Sequence, residues 1–220
     1  MNNRLKALAT LVDANSTILD IGCDHAFLDI YLVNKDIGIK AIASDIAEGP
    51  LEQAKKNIER VGLTDQIETR LGNGLAPYTS DIDTIIISGM GGRNMIGIFK
   101  GHMKKIKNVN TIILSPNNYQ EDIKVFLCKN GFYIEEEEFV KDKRFIYQLI
   151  KFKRGKKRYT KRQYFFGPIF LIKKGELFQE YYERERKSRE IILQFLPKSY
   201  RLKRRKVKKE IELIEKELQK

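Results

Sequence analysis

Asp20, Gly22, Asp24 and His25 fall together in the stretch LDIGCDHAFLDIYL (residues 19–32), where a hydrophobic strand pattern ends and an apolar helical pattern begins. A loop of this kind that binds a dinucleotide normally offers GxGxxG, because bare backbone amides must approach a pyrophosphate at the helix N-terminus. Here Gly22 is followed by Cys-Asp-His-Ala-Phe, and carboxylates at 20 and 24 take the place of the missing glycines. Two carboxylates repel a pyrophosphate and suit a cation. S-adenosylmethionine has a sulfonium, an α-ammonium and no phosphate, so this loop fits its methionine end.

Three later strand ends extend the pattern. Asp45 ends the second strand pattern, where an acid can accept both ribose hydroxyls of an adenosine cofactor. In the Gly-Asn-Gly turn at 72–74, Asn73 can turn its amide to the adenine, while Gly74 permits the tight turn. Ser88, Gly89 and Met90 follow the fourth strand on the cofactor side, and Gly91 and Gly92 leave the turn bare for an incoming substrate. After the fifth strand, Pro116 fixes a turn that presents Asn117, whose amide can read a planar base edge. Each feature has a plainer reading: an Asp before a helix is often a cap, His25 can be a simple first-turn residue, and glycines end strands for geometric reasons. Recurrence at successive strand ends favours a cofactor site. His25 is a weaker, positioning candidate, and His102, in a Lys-rich helix end, reads as structural.

These turns need a doubly covered parallel sheet beneath them. Strand patterns at Thr17–Ile21, Ala41–Ser44, Ile67–Leu71, Thr84–Ser88 and Thr111–Leu114 alternate with helical spacing at Leu28–Val33, Leu51–Val61, Asn94–Ile106 and Ile123–Lys129. The class is α/β, a Rossmann-like sheet. Phe132–Phe139 and Phe145–Phe152 are too close to enclose a helix and predict an antiparallel hairpin at the sheet edge, with the run Glu135–Glu138 facing water to deter edge pairing.

Charge divides the chain. Net charge is +13, yet residues 151–220 hold 24 Lys+Arg against 9 Asp+Glu while the preceding 150 residues hold 18 against 20. The expected boundary is therefore 1–152 and 153–220. In the second part, a helix over Ile169–Leu196 and another capped by Ser199, with Val207, Ile211, Ile214 and Leu218 in phase, predict an antiparallel coiled-coil hairpin. The run RLKRRKVKK at 201–209, with Arg201, Arg204 and Arg205, can bind phosphate backbones; a solvated helix face is the plain alternative. The two cysteines lack metal-ligand spacing, so no metal is expected, and no apolar run approaches a membrane span. The chain reads as a cytoplasmic monomer.

Across 20–28, SDIAEGP at 44–50, 72–74, 89–92, Pro-Asn at 116–117 and Gly-Pro at 167–168, the sequence resembles the bacterial tRNA (adenine-22-N1)-methyltransferases. The resemblance implies a Rossmann-like S-adenosylmethionine-dependent methyltransferase domain with a C-terminal coiled coil, acting on N1 of a D-arm adenine flipped from its stack. It also points to Asp24 as important, which makes this residue the candidate catalytic group as well as a cofactor ligand. Two rival classes are an inactive RNA-binding module of the same fold and a small-molecule methyltransferase; the retained acids weigh against the first and the basic tail against the second.

Overall fold

The structure, a computed structural model, describes all 220 residues. It divides by packing into two compact units, Met1–Leu171 and Ile172–Lys220. No helix is long and apolar enough to cross a membrane.

The first unit is built on seven strands: β1 (Ser16–Ile21), β2 (Gly38–Asp45), β3 (Ile67–Leu71), β4 (Thr84–Ser88), β5 (Thr111–Ser115), β6 (Phe132–Asp142) and β7 (Phe145–Arg154). They form one sheet in the order β3-β2-β1-β4-β5-β7-β6. β1 to β5 run parallel, and β7 lies antiparallel between β5 and β6. The central strands are continuous apolar runs because both of their faces are covered: in β4, Ile85 and Ile87 join one core while Ile86 joins the other, and all three are fully buried. Helices α1 (Asn3–Thr10), α2 (Phe27–Asn34), α3 (Glu48–Arg60), α4 (Gly92–Phe99) and α5 (Gln120–Lys129) supply the cover.

Register places the strand ends level. Ile21 lies opposite Ser44 and Ile87, Asp45 opposite Leu71, and Ser88 opposite Ser115, so the loops that follow all five parallel strands open on one rim. The α/β class and the edge hairpin agree with the sequence pattern. Three details differ. α4 stops at Phe99, not near Ile106: Gly101 takes a positive φ of 81°, and the turns after it bury Ile106 and Val109 without a helix. Apolar phase alone had carried that helix on.

The acidic run in β6 is the second difference. A bulge between Ile134 and Glu136 breaks the alternation, and Glu137 is wholly buried, with Oε1 2.8 Å from the equally buried Lys124 Nζ on α5. Only part of the run can face water, because α5 and the segment near Ile169, whose amide donates to Glu137 Oε2 at 2.9 Å, cover that face.

The third concerns the tail. α6 (Lys161–Phe166), capped reciprocally by Thr160 and Gln163, and α7 (Phe170–Lys173) precede α8 (Glu176–Phe195), so the predicted helix over Ile169–Leu196 is interrupted where Lys174 takes φ 32° before Gly175. Residues 153–171 also pack with the sheet: Tyr159 Oη donates to the Ile134 carbonyl at 3.1 Å, Phe166 is fully buried and Phe170 stacks on Phe139 at 3.9 Å. The packing division therefore falls after Leu171, later than the compositional shift near Phe152. Charge follows the surface, whereas packing follows the aromatic residues beneath it.

The second unit is a helical hairpin of α8 and α9 (Arg201–Leu218). Arg189 to Glu210 at 2.9 Å and Lys174 to Glu217 at 2.7 Å place early residues of one arm beside late residues of the other, as an antiparallel pair requires.

Candidate functional site

The loop after β1 is held by its backbone. The Gly22 and Cys23 amides both donate to the Ser44 carbonyl, at 2.8 and 3.0 Å, which pulls the turn against the end of β2. Gly22 has φ 78°, and a β-carbon there would meet Met90 Cε at 2.5 Å, so the glycine supplies both the turn and the room for Met90. Asp24 and Ala26 also have positive φ, 55° each, a costly conformation for residues with side chains. Strain of this order concentrated between β1 and α2 marks a loop shaped for more than connection.

Beside this loop lies a cavity of about 660 Å³, within the range of small-molecule sites. Its wall contains Gly22 and Ile21 from the first strand end, Asp45 from the second, Asn73 and Gly74 from the third and Met90 from the fourth. Asp45 Oδ1 accepts the Ala47 amide at 2.9 Å, which fixes the carboxylate and leaves Oδ2 for a ligand. Gly72 is needed where Pro77 folds back: a β-carbon would stand 2.7 Å from Pro77 Cγ. The far wall comes from α4 and the turns after it, through Arg93, Asn94, Ile98, His102 and Lys105. Spacing along the chain marks few of these, since helix-face residues opposite a turn are fixed only by packing. His102, expected to be structural, lines the cavity instead.

Not every predicted residue faces this space. Asp20, Asp24, His25, Ser88 and Gly89 do not line the cavity. Asp24 is open to solvent, its side chain 75% exposed, with Oδ1 3.6 Å from His25 Nε2. Asp20 differs most from expectation. It is buried beneath the loop beside Asp29 of α2, which is wholly buried. Burial pushes both carboxyls up, Asp29 to about 7, and the charges of Asp29 and then Asp45 raise Asp20 further. Two buried carboxyls side by side favour sharing one proton over ionising together. The Cys23 thiol is likewise pushed up by burial, then by Asp20, which disfavours its thiolate.

A raised acid favours folding below its unfolded value of 3.8 and loses that contribution as pH rises through its folded value. Asp29→Asn should therefore remove a destabilising slope. In urea titrations the variant should gain on the order of 2 kcal/mol over the wild type at about pH 8 and much less at about pH 5. An equal difference at both pH values would contradict the shared proton.

At the ends of β4 and β5, two rim loops interlock. Gly92 donates its amide to the Asn118 carbonyl at 3.0 Å, and a β-carbon at Gly92 would stand 2.6 Å from the Tyr119 carbonyl oxygen. Gly91 packs as closely on Asn118, whose Oδ1 would lie 2.9 Å from a β-carbon there. Asn117, after Pro116, donates from Nδ2 to the Gly89 carbonyl at 2.5 Å and from its backbone amide to the Met90 carbonyl at 2.9 Å. One amide hydrogen and Oδ1 of Asn117 stay available. In the tail, Arg201 and Arg205 are exposed. Arg204 turns inward, donating to the Leu193 and Leu196 carbonyls at the end of α8, so it closes the hairpin instead of facing a phosphate.

The cavity suits S-adenosylmethionine on its own chemistry: a fixed acid for ribose hydroxyls, an amide turn for a purine, and no nest of bare amides for phosphate. The relatives agree. A Streptococcus pneumoniae protein solved in complex with S-adenosyl-L-methionine matches with TM-score 0.90 and 31% identity over 98% of each chain. Mycoplasma capricolum TrmK, solved with S-adenosyl-homocysteine, matches with TM-score 0.88 and 29% identity over 100% of this chain and 98% of that one. The tRNA (adenine(22)-N(1))-methyltransferase of Bacillus subtilis is 30% identical over 151 residues, which span 68% of this chain and 63% of that protein. The sequence profile of one family, TrmK, tRNA (adenine(22)-N(1))-methyltransferase, matches residues 18–216. Site, fold and profile extend over nearly the same residues, and the chain belongs to that family.

Proposed function

We propose that this protein, acting as a cytoplasmic monomer, transfers a methyl group from S-adenosyl-L-methionine to N1 of adenine 22 in the D-arm of tRNA, with the adenine flipped out to the rim above β4 and β5. The observation that carries the reading is the acid-marked cavity at the carboxyl ends of β1 to β4, into whose wall the Gly89–Gly92 turn sends Met90. When bound, the cofactor supplies an electrophilic methyl on its sulfonium. Asp45 accepts the ribose hydroxyls, Asn73 and Gly74 meet the adenine, and Gly22 and Met90 shape the passage toward the methionine end. Adenine N1 has a free lone pair at neutral pH, so the protein needs no base to activate it and must mainly position it. Asn117, fixed by its bonds to the 89–90 turn, offers its remaining amide hydrogen and Oδ1 to the base edge. Methylation leaves the base cationic. Asp24, an exposed carboxylate at the same rim, stabilises that charge as it develops.

The test is nucleoside mass spectrometry of unmodified tRNA after incubation with protein and cofactor. N1-methyladenosine should appear, and should vanish when adenine 22 is replaced by guanine; methylation that survives the replacement would refute the position. Arg201→Glu with Arg205→Glu should weaken tRNA binding roughly tenfold at moderate salt and flatten its salt dependence, while cofactor affinity stays as in the wild type.

A further inference from the structure

A cationic and aromatic stripe runs from the methyl-transfer rim up the edge hairpin, outside the cavity and outside the basic tail. β7 is antiparallel to β5 and Leu114 lies opposite Ile150, so Phe145–Gln148 stand beyond the carboxyl end of β5, on the rim side of the sheet. Phe145 and Tyr147 alternate onto one face there, ring centroids 6.2 Å apart, and Phe145 is 51% exposed. Arg144 covers the Phe145 ring at 4.9 Å, and Arg4 of α1 covers the Tyr147 ring at 4.8 Å. The Arg4 guanidinium then reaches the rim: a methyl group on Gly89 would stand 3.6 Å from both of its Nη atoms. Gly89 is the residue whose carbonyl holds Asn117.

Arg4 has been placed there without an anion. Its Nε is buried with no hydrogen-bond partner, and no carboxylate lies within ion-pair distance. α1 is nevertheless fixed in place: Asn2 caps it through the Leu5 amide at 2.9 Å, and Asn3 Nδ2 donates to the Lys141 carbonyl on the hairpin at 3.3 Å. An unanswered guanidinium held on a half-buried aromatic ring, in line with an exposed one, is the arrangement that binds unstacked nucleotides, with phosphate on the cation and bases on the rings.

We infer that Arg4, Tyr147 and Phe145 form a platform for the nucleotides adjoining the target adenine, with Arg4 on a phosphate and the two rings under neighbouring bases. The inference rests on the methylation reading above, and it assigns to the edge hairpin and α1 a part in gripping RNA close to the reacting base. These are positioning residues, since none lines the cofactor cavity.

The test uses the full-length protein and full-length tRNA. Arg4→Gln, Tyr147→Ala and Phe145→Ala should each raise the tRNA Kd and KM, by about 10-fold for Tyr147→Ala, with cofactor Kd by calorimetry held at the wild-type value. Arg4→Gln should in addition lower the slope of log Kd against log salt by about one phosphate contact, which a merely structural role would not do. Phe145 is exposed at the hairpin tip, so its variant reports even if Tyr147→Ala fails to fold. Unchanged tRNA affinity in the folded variants, or a loss of cofactor affinity equal to the loss for tRNA, overturns the platform. If the wild type binds tRNA without methylating it, the parent reading fails, and the platform is still judged by the binding differences.

Discussion

Asp45→Ala should bind S-adenosylmethionine roughly 10- to 100-fold more weakly than the wild type, because hydrogen bonds to a charged acceptor contribute about 1.5–3 kcal/mol. The carboxylate is held in advance by the Ala47 amide on Oδ1 and by its level place at the end of β2, so little ordering remains to be done when the ribose arrives. Calorimetry reads the effect directly. Asp45→Asn should fall between the two, retaining one acceptor and losing the charge. Methylation at saturating cofactor should recover most of its rate in both variants, since the ribose hydroxyls are several bonds removed from the reacting methyl. A variant with wild-type affinity would mean that the cavity is entered in another orientation.

Lys124→Met should destabilise the protein by about 3–5 kcal/mol, the usual consequence of stranding one member of a buried ion pair. Both partners are fully buried, Nζ lies 2.8 Å from Glu137 Oε1, and the ammonium also sits 5.5 Å from the centre of the Phe170 ring. Without Lys124, the Glu137 carboxylate keeps only the Ile169 amide and must take up a proton or let in water. A fall in Tm on the order of 10 °C follows for a chain of this size. Lys124→Met combined with Glu137→Leu should recover part of the loss, leaving the Ile169 amide unanswered; a double variant as unstable as the two single losses added would show that the pair is not coupled.

The parts of this protein that were legible in its sequence are those governed by local rules. β-branched apolar runs such as Thr84–Ser88 can be little else than covered strands, and the acids and glycines at strand ends mark the rim because parallel sheets gather such ends on one side. The missed features depend on what lies across space. Asp29 reads as the polar side of a short helix, yet topology sets it against Asp20. Glu137 reads as one of four surface glutamates, yet the bulge in β6 turns it inward to Lys124. Arg204 reads as one cation in a run of seven, yet it is the one that faces the open carbonyls of α8. In each case a charged residue changed meaning through a partner distant in sequence, and spacing along the chain contains no record of that partner. The cavity's far wall was missed for the same reason.

The ion pairs of the hairpin arrange its charge along its length. Glu180, Glu183 and Glu185 of α8 and Glu210 and Glu217 of α9 are answered within the unit, through Arg184, Arg186, Arg189 and Lys174, while exposed Lys198, Arg201, Lys203, Arg205 and Lys208 crowd the turn and the start of α9. The unit is thus an electric dipole on a stiff rod, positive at the tip. A polyanion exerts a torque on such a rod before touching it, so the tip is aligned during approach, and that alignment fades once salt shortens the reach of the field to about 10 Å.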